Sequence, residues 1–310
     1  MTVLSLAVKL VLFIAIGYGA RKGKIMADGF DKALTRFVMA IPLPCMIVNS
    51  FRIAYDPREL ANMPVLLGLS LLSMAVAFVL AQLVYLRMGR GGVARSARFA
   101  LLFTNFTFFG LPVVSELYGA QGVLYYVIFT LPIRLFFYGL APVTLGKGER
   151  MSGRELVKKF FCAPVVAVFI GFFLYVTQLP LPEVLASVLS TLGNMASPLG
   201  LLLCGSVIAD ADWKGVLRTP SVLWVSLLRL IALPAVIMGL FLLLGVEHEI
   251  IRTTIFYFAM PVASLLPTFC LRYNPEEVAG RTAGGYMVVA STLLCIATVP
   301  LWALIMERVL

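Results

Sequence analysis

Two stretches of this 310-residue chain set helix breakers among small hydroxyl and amide side chains. The first reads Phe103-Thr104-Asn105-Phe106-Thr107-Phe108-Phe109-Gly110-Leu111-Pro112. The second reads Ala259-Met260-Pro261-Val262-Ala263-Ser264-Leu265-Leu266-Pro267-Thr268. Proline removes a backbone donor and frees the carbonyl one turn back, and glycine loosens the chain. A helix broken in this way offers a half-helix N-terminus, with unpaired N–H groups at the positive end of the dipole, which suits an anion. Asn105, Thr104, Thr107, Ser264 and Thr268 add side-chain donors beside the breaks. A single such stretch is more simply a kink in a packed helix. A matched pair with Asn, Ser and Thr alongside points to a binding site.

Two arginines sit deep inside apolar runs, Arg134 about halfway along one and Arg229 about a third of the way into another. An arginine in mid-membrane costs at least about 2.5–3.5 kcal/mol on insertion scales, which makes each a functional candidate. The guanidinium fork matches a carboxylate. The alternative for both is structural: capping freed carbonyls, or pairing with Glu116, the one clearly intramembrane acid. Lys9 can snorkel, and Arg36 lies near a helix end. The net interior charge is positive, which favours an anionic passenger. The candidate substrate-binding residues are therefore Asn105, Thr107, Gly110, Pro112, Arg134, Arg229, Pro261, Ser264, Pro267 and Thr268. No catalytic residue and no metal ligand is assigned.

Apolar helices must position these groups. Hydrophobic residues make up 61% of the chain and charged ones 13%. A soluble surface needs roughly a quarter of residues charged, so lipid is the solvent here. Ten apolar segments are legible, at about 2–20, 33–52, 64–87, 98–118, 122–145, 161–178, 184–209, 220–245, 252–272 and 282–306. Helix is the expected form, because backbone polar groups in lipid must satisfy one another locally. The first segment lacks a basic leader and a cleavage site and is expected to be retained.

Basic residues crowd the loops after the odd-numbered segments: Arg21, Lys22, Lys24 and Lys32; Arg87, Arg90, Arg95 and Arg98; Lys147, Arg150, Arg154, Lys158 and Lys159; Lys214 and Arg218; Arg272 and Arg281. The opposite side holds Arg52, Arg58, Arg252 and Arg308. The positive-inside rule then puts the odd loops in the cytoplasm and both termini outside, in the cell (inner) membrane. The net charge of +10 is thus a topology signal, and nucleic acid is not an expected partner. The linker 146–160 separates a first five-helix repeat, 1–145, from a second, 161–310. Five is odd, so two copies of one unit must lie upside down to each other, an arrangement common in secondary transporters with the site at the repeat interface.

At the two breaker stretches the sequence resembles the auxin efflux carrier family, and within it the bacterial malate and malonate permeases. The family's Asn, apolar stretch and Gly-x-Pro correspond to Asn105, Gly110 and Pro112, followed by Tyr118-Gly119. Its Met-Pro start and later Tyr correspond to Met260-Pro261 and Tyr273-Asn274. The likeness extends to Gly17-Tyr18 with Arg21-Lys22-Gly23, and to Ala290-Ser291-Thr292 through Pro300-Leu301-Trp302. It implies an all-α membrane fold of ten helices in two inverted five-helix repeats, with broken crossover helices four and nine and an elevator-like movement. It implies transport of a small organic anion, a mono- or dicarboxylate such as malate, malonate or an auxin-like acid, without a cofactor. The chain departs from the family at Leu265, where bacterial members often have Asn, and at Leu271-Arg272, where an acid is common. It also lacks the long hydrophilic loop of many plant carriers.

Rival classes fit less well. An intramembrane enzyme needs a constellation such as HExxH, but the single histidine, His248, lies in a loop between Glu247 and Glu249. A channel repeats short units around an axis, and a receptor carries an output domain. The nearest alternative is a sodium-coupled symporter of the bile-acid-symporter type. The coupling ion stays open between proton, sodium and none, with Glu116, Asp210 and Asp212 as weak candidates. The five cysteines lie in or beside apolar runs without CxxC spacing and read as packing residues. A homodimer through the non-crossover helices is one assembly the pattern allows.

Overall fold

The computed structural model describes residues 3–146 and 152–310, and Lys147 and Arg150 of the basic linker set lie outside them. The described residues are mostly helical. The first half holds α1 (Val3–Lys22), α2 (Phe30–Ala40), α3 (Pro42–Ser50), α4 (Pro57–Arg87), α5 (Gly92–Leu102), a π-turn at Phe106–Gly110 and α6 (Leu111–Leu145). After α7 (Gly153–Phe160) come α8 (Ala163–Thr177), α9 (Glu183–Asn194), α10 (Ala196–Ala209), α11 (Trp213–Arg218) and α12 (Pro220–Leu227). A second π-turn at Leu228–Ala232 leads to α13 (Leu233–Leu243), α14 (His248–Ala259), α15 (Leu266–Tyr273) and α16 (Val278–Val309). Six helical stretches among the described residues are long and apolar enough to cross a bilayer, and Ala163–Thr177 is a shorter apolar helix. The chain is a multi-pass membrane protein.

Local chemistry explains most boundaries. Asp56 caps α4, accepting from the Arg58 amide at 2.8 Å, with Pro57 in the first turn, where its missing N–H costs nothing. The second apolar segment splits at Ile41 (φ −126°, ψ −70°), just before Pro42. The seventh splits at Met195, between α9 and α10. The fourth and fifth segments run together as α6, which bends at Gly119 (φ 61°, ψ −149°), a conformation open almost only to glycine. The linker is not all loop, because its second part forms α7, capped by Ser152, which accepts from the Glu155 amide at 3.3 Å.

Helices from the two halves meet closely. A methyl group added at Gly17 of α1 would collide with the Leu202 carbonyl of α10, and one at Gly205 with the Ile14 carbonyl. Small residues permit such backbone contact, which dispersion then rewards in a membrane.

Candidate functional site

The two breaker stretches cross each other in the protein interior. Between α5 and the first π-turn the chain is extended, and between α14 and α15 it is extended again. The two runs pair antiparallel at Thr104 and Val262. The Asn105 amide donates to the Pro261 carbonyl at 2.8 Å, and the Ala263 amide to the Phe103 carbonyl at 3.1 Å. Ser291 of α16 accepts from the Val262 amide at 2.9 Å. Backbone unwound at this depth is tolerated where freed groups find protein partners, as these do.

The prolines do not mark the breaks themselves. Pro267 stands second in α15, a position where a missing donor is harmless, whereas Pro112 follows directly on the π-turn, with Gly110 and Leu111 both helical. Pro267 begins the helix that follows its gap, while the helix after the first gap begins at Phe106, under the Asn105 cap. Pro261 alone lies within the unwound run, and its carbonyl is the acceptor for Asn105.

Four helix ends therefore converge on the crossing, and the protein treats the two kinds differently. The C-terminal ends of α5 and α14 carry orphan carbonyls and negative dipole charge. Arg229, fully buried on the second π-turn, answers both. Its Nη1 donates to the Leu101 carbonyl at 2.6 Å, its Nη2 to the Tyr257 carbonyl at 3.1 Å and its Nε to the Met260 carbonyl at 3.5 Å. The Tyr257 hydroxyl donates to the Leu102 carbonyl at 2.9 Å. The fork of Arg229 is thus engaged by the backbone, and Arg229 does not line the cavity described next.

The N-terminal ends, of the π-turn leading into α6 and of α15, face a cavity of about 70 Å³. That is room for several waters at roughly 10–15 Å³ each, or for a few-atom anion. Thr104, Asn105, Thr107, Ser264 and Leu265 line it, together with Met39 of α2 and with Arg134, Phe137 and Tyr138 of α6. Asn105 caps the π-turn, its side chain accepting from the Phe108 amide at 3.3 Å, while its Nδ2 faces the Cys204 sulfur at 3.6 Å.

Arg134 is 5% exposed. Its guanidinium carbon stands 4.7 Å above the Phe106 ring, a cation–π contact. Its Nη2 is buried without a hydrogen-bond partner, and no described carboxylate pairs with it. Glu116, the acid that the structural alternative would pair with it, pairs with Lys9 at 2.9 Å. Arg134 is therefore the cation left unanswered at the cavity.

A second cavity of about 180 Å³ adjoins the first through shared Met39, Asn105, Phe108, Ser264 and Leu265. It adds Asp31, Thr35, Cys204, Ser206 and Thr292, and the Oδ1 of Asp31 is buried without a partner.

Of the residues assigned from sequence, the structure brings Asn105, Thr107, Arg134 and Ser264 together on the cavity. Gly110 lies behind it, where a methyl would strike the Tyr126 hydroxyl. Pro112, Pro261 and Pro267 shape the backbone. Thr268 is exposed and off the cavity wall, because the helical turn of α15 carries it away. Phe137 and Tyr138 escaped the sequence reading, although they lie three and four residues after Arg134 and so share its helix face. Nothing in the sequence marked Met39 or Cys204. His248 lies at an exposed helix start, its Nδ1 3.0 Å from the Leu310 backbone oxygen.

A family model described as a membrane transport protein matches residues 2–140 and 148–303. The chain is also similar to an uncharacterized transporter of Methanothermobacter thermautotrophicus. The two are 23% identical over 313 residues, which cover 98% of this chain and 97% of the relative.

Proposed function

The chain belongs to the membrane transport protein family, of the auxin efflux carrier type, and from that premise we propose that it is a secondary transporter of a small organic anion. The passenger is a mono- or dicarboxylate of the malate, malonate or auxin-like kind. The observation that carries the reading is Arg134, a buried guanidinium with an unpartnered Nη2 on a cavity walled by both unwound stretches. A carboxylate there would answer a charge that the protein leaves unanswered, and would also meet two positive helix ends.

In this reading ten spans form two inverted repeats with both termini outside the cytoplasm. The parallel breaks support the repeat, the second and seventh segments splitting at Ile41 and Met195 and the fourth and ninth at Thr104 and Val262. The crossing, held together by its own hydrogen bonds, travels as a unit in an elevator-like step. A second reading, a sodium-coupled symporter of the bile-acid type, draws on Asp31, whose unpartnered carboxylate oxygen borders the adjoining cavity.

The test is uptake of radiolabelled malonate, malate and indole-3-acetate into proteoliposomes, each with and without sodium and proton gradients. Saturable uptake of one acid is expected. Uptake that needs sodium and falls in D31N selects the symporter. Absence of uptake of all three by folded, inserted protein refutes the anion class.

A further inference from the structure

A third cavity faces outward, away from the crossing. It is a groove of about 320 Å³ between α4 and the α12–α13 helix. One wall is Ala77, Leu80, Val84 and Arg87, and the other is Trp224, Leu228, Ala232 and Val236. Both walls repeat every three or four residues, so each is a single helix face. The groove is apolar along its length and basic at one end. Arg87 closes α4, is exposed, and makes no hydrogen bond or ion pair with another described residue. Trp224 is 47% exposed, and an indole of this kind favours the headgroup level of a bilayer.

We propose that this groove holds one acyl chain of an anionic phospholipid, with its phosphate on Arg87. Apolar grooves inside the bilayer are filled by lipid tails, and a basic group at the cytoplasmic end selects an anionic head. The charge complementarity singles out the anionic lipid from the zwitterionic one. The site also touches the transport machinery. Leu228 and Ala232 bound the π-turn that carries Arg229, and the Leu101 side chain lines the groove while its carbonyl accepts from Arg229 at 2.6 Å. The bound chain therefore packs against residues that flank Arg229 or pair with it, and lipid type reaches the transport step through these neighbours.

The three tryptophans make the test direct. In a W213F background the remaining indoles are Trp224 on the groove and Trp302, which is buried and donates to the Leu230 carbonyl at 2.7 Å. Fluorescence quenching is measured in vesicles containing dibrominated phosphatidylglycerol or dibrominated phosphatidylcholine at equal mole fraction. One basic contact predicts roughly fivefold stronger apparent binding of the anionic lipid. R87Q brings the two lipids to parity, and R87K keeps the preference. Equal quenching by the two lipids in the W213F protein, or a preference that survives in R87Q, overturns the proposal.

Discussion

The Asn105 amide and the Pro261 carbonyl, 2.8 Å apart, tie together two chain segments that lie in opposite halves of the sequence. The return bond runs from Ala263 to Phe103, and both residues are buried. Ala263→Pro deletes that donor and strands the Phe103 carbonyl. A buried acceptor left unpaired costs about 1–3 kcal/mol. Thermal unfolding in detergent should shift down accordingly, and uptake should fall with it. An unshifted transition would mean that the crossing is not held by this ladder.

Arg134 and Arg229 should respond in opposite senses. Arg229→Met leaves three carbonyls without their donor, so the protein should lose about 3 kcal/mol or more and accumulate poorly. Arg134→Met removes a buried charge with no carboxylate partner and a Nη2 that makes no hydrogen bond, so stability should hold or rise. Expression level and detergent melting separate the two without any transport assay.

Transport reads the Arg134 role directly. A charge-assisted bond to a carboxylate is worth about 1.5–3 kcal/mol, so Arg134→Gln should weaken apparent substrate affinity roughly 10- to 100-fold. Arg134→Lys keeps the charge and loses the fork, and should fall between. Full affinity in the Gln variant would remove Arg134 from the site.

Gly119 should tolerate no side chain. At φ 61° and ψ −149° any other residue is strained by about 1–3 kcal/mol. Gly68, within α4 and with open space around its missing side chain, is the control. Gly119→Ala should lower the melting temperature, whereas Gly68→Ala should leave it level or raise it slightly.

Much of this arrangement was open to reading in the sequence, for reasons that are physical. Lipid forces long apolar runs, so the helices and the matched breaks around Asn105 and Pro261 stood out by composition. The positions of the breaks did not, because proline is an even better start to a helix than a stop. Pro267 marks where the second helix resumes and Pro112 lies further into the first, and both gaps lie upstream. Arg134 and Arg229 looked alike because residue type and depth are all a sequence offers. Their difference rests on the Leu101 carbonyl, 128 residues from Arg229, and on which groups surround each guanidinium. Thr268 lies off the cavity for a related reason, since one turn of α15 decides which side of the helix it occupies.

The glycine seam between α1 and α10 has a consequence for how the protein is made. Gly17 is synthesised long before Leu202, the residue whose backbone it touches. At 5–20 residues per second the interval is roughly ten to forty seconds. Throughout that time the Gly17 face of α1 lacks the α10 backbone against which it packs. The contact between α1 and α10 is thus closed only once most of the second half has been made.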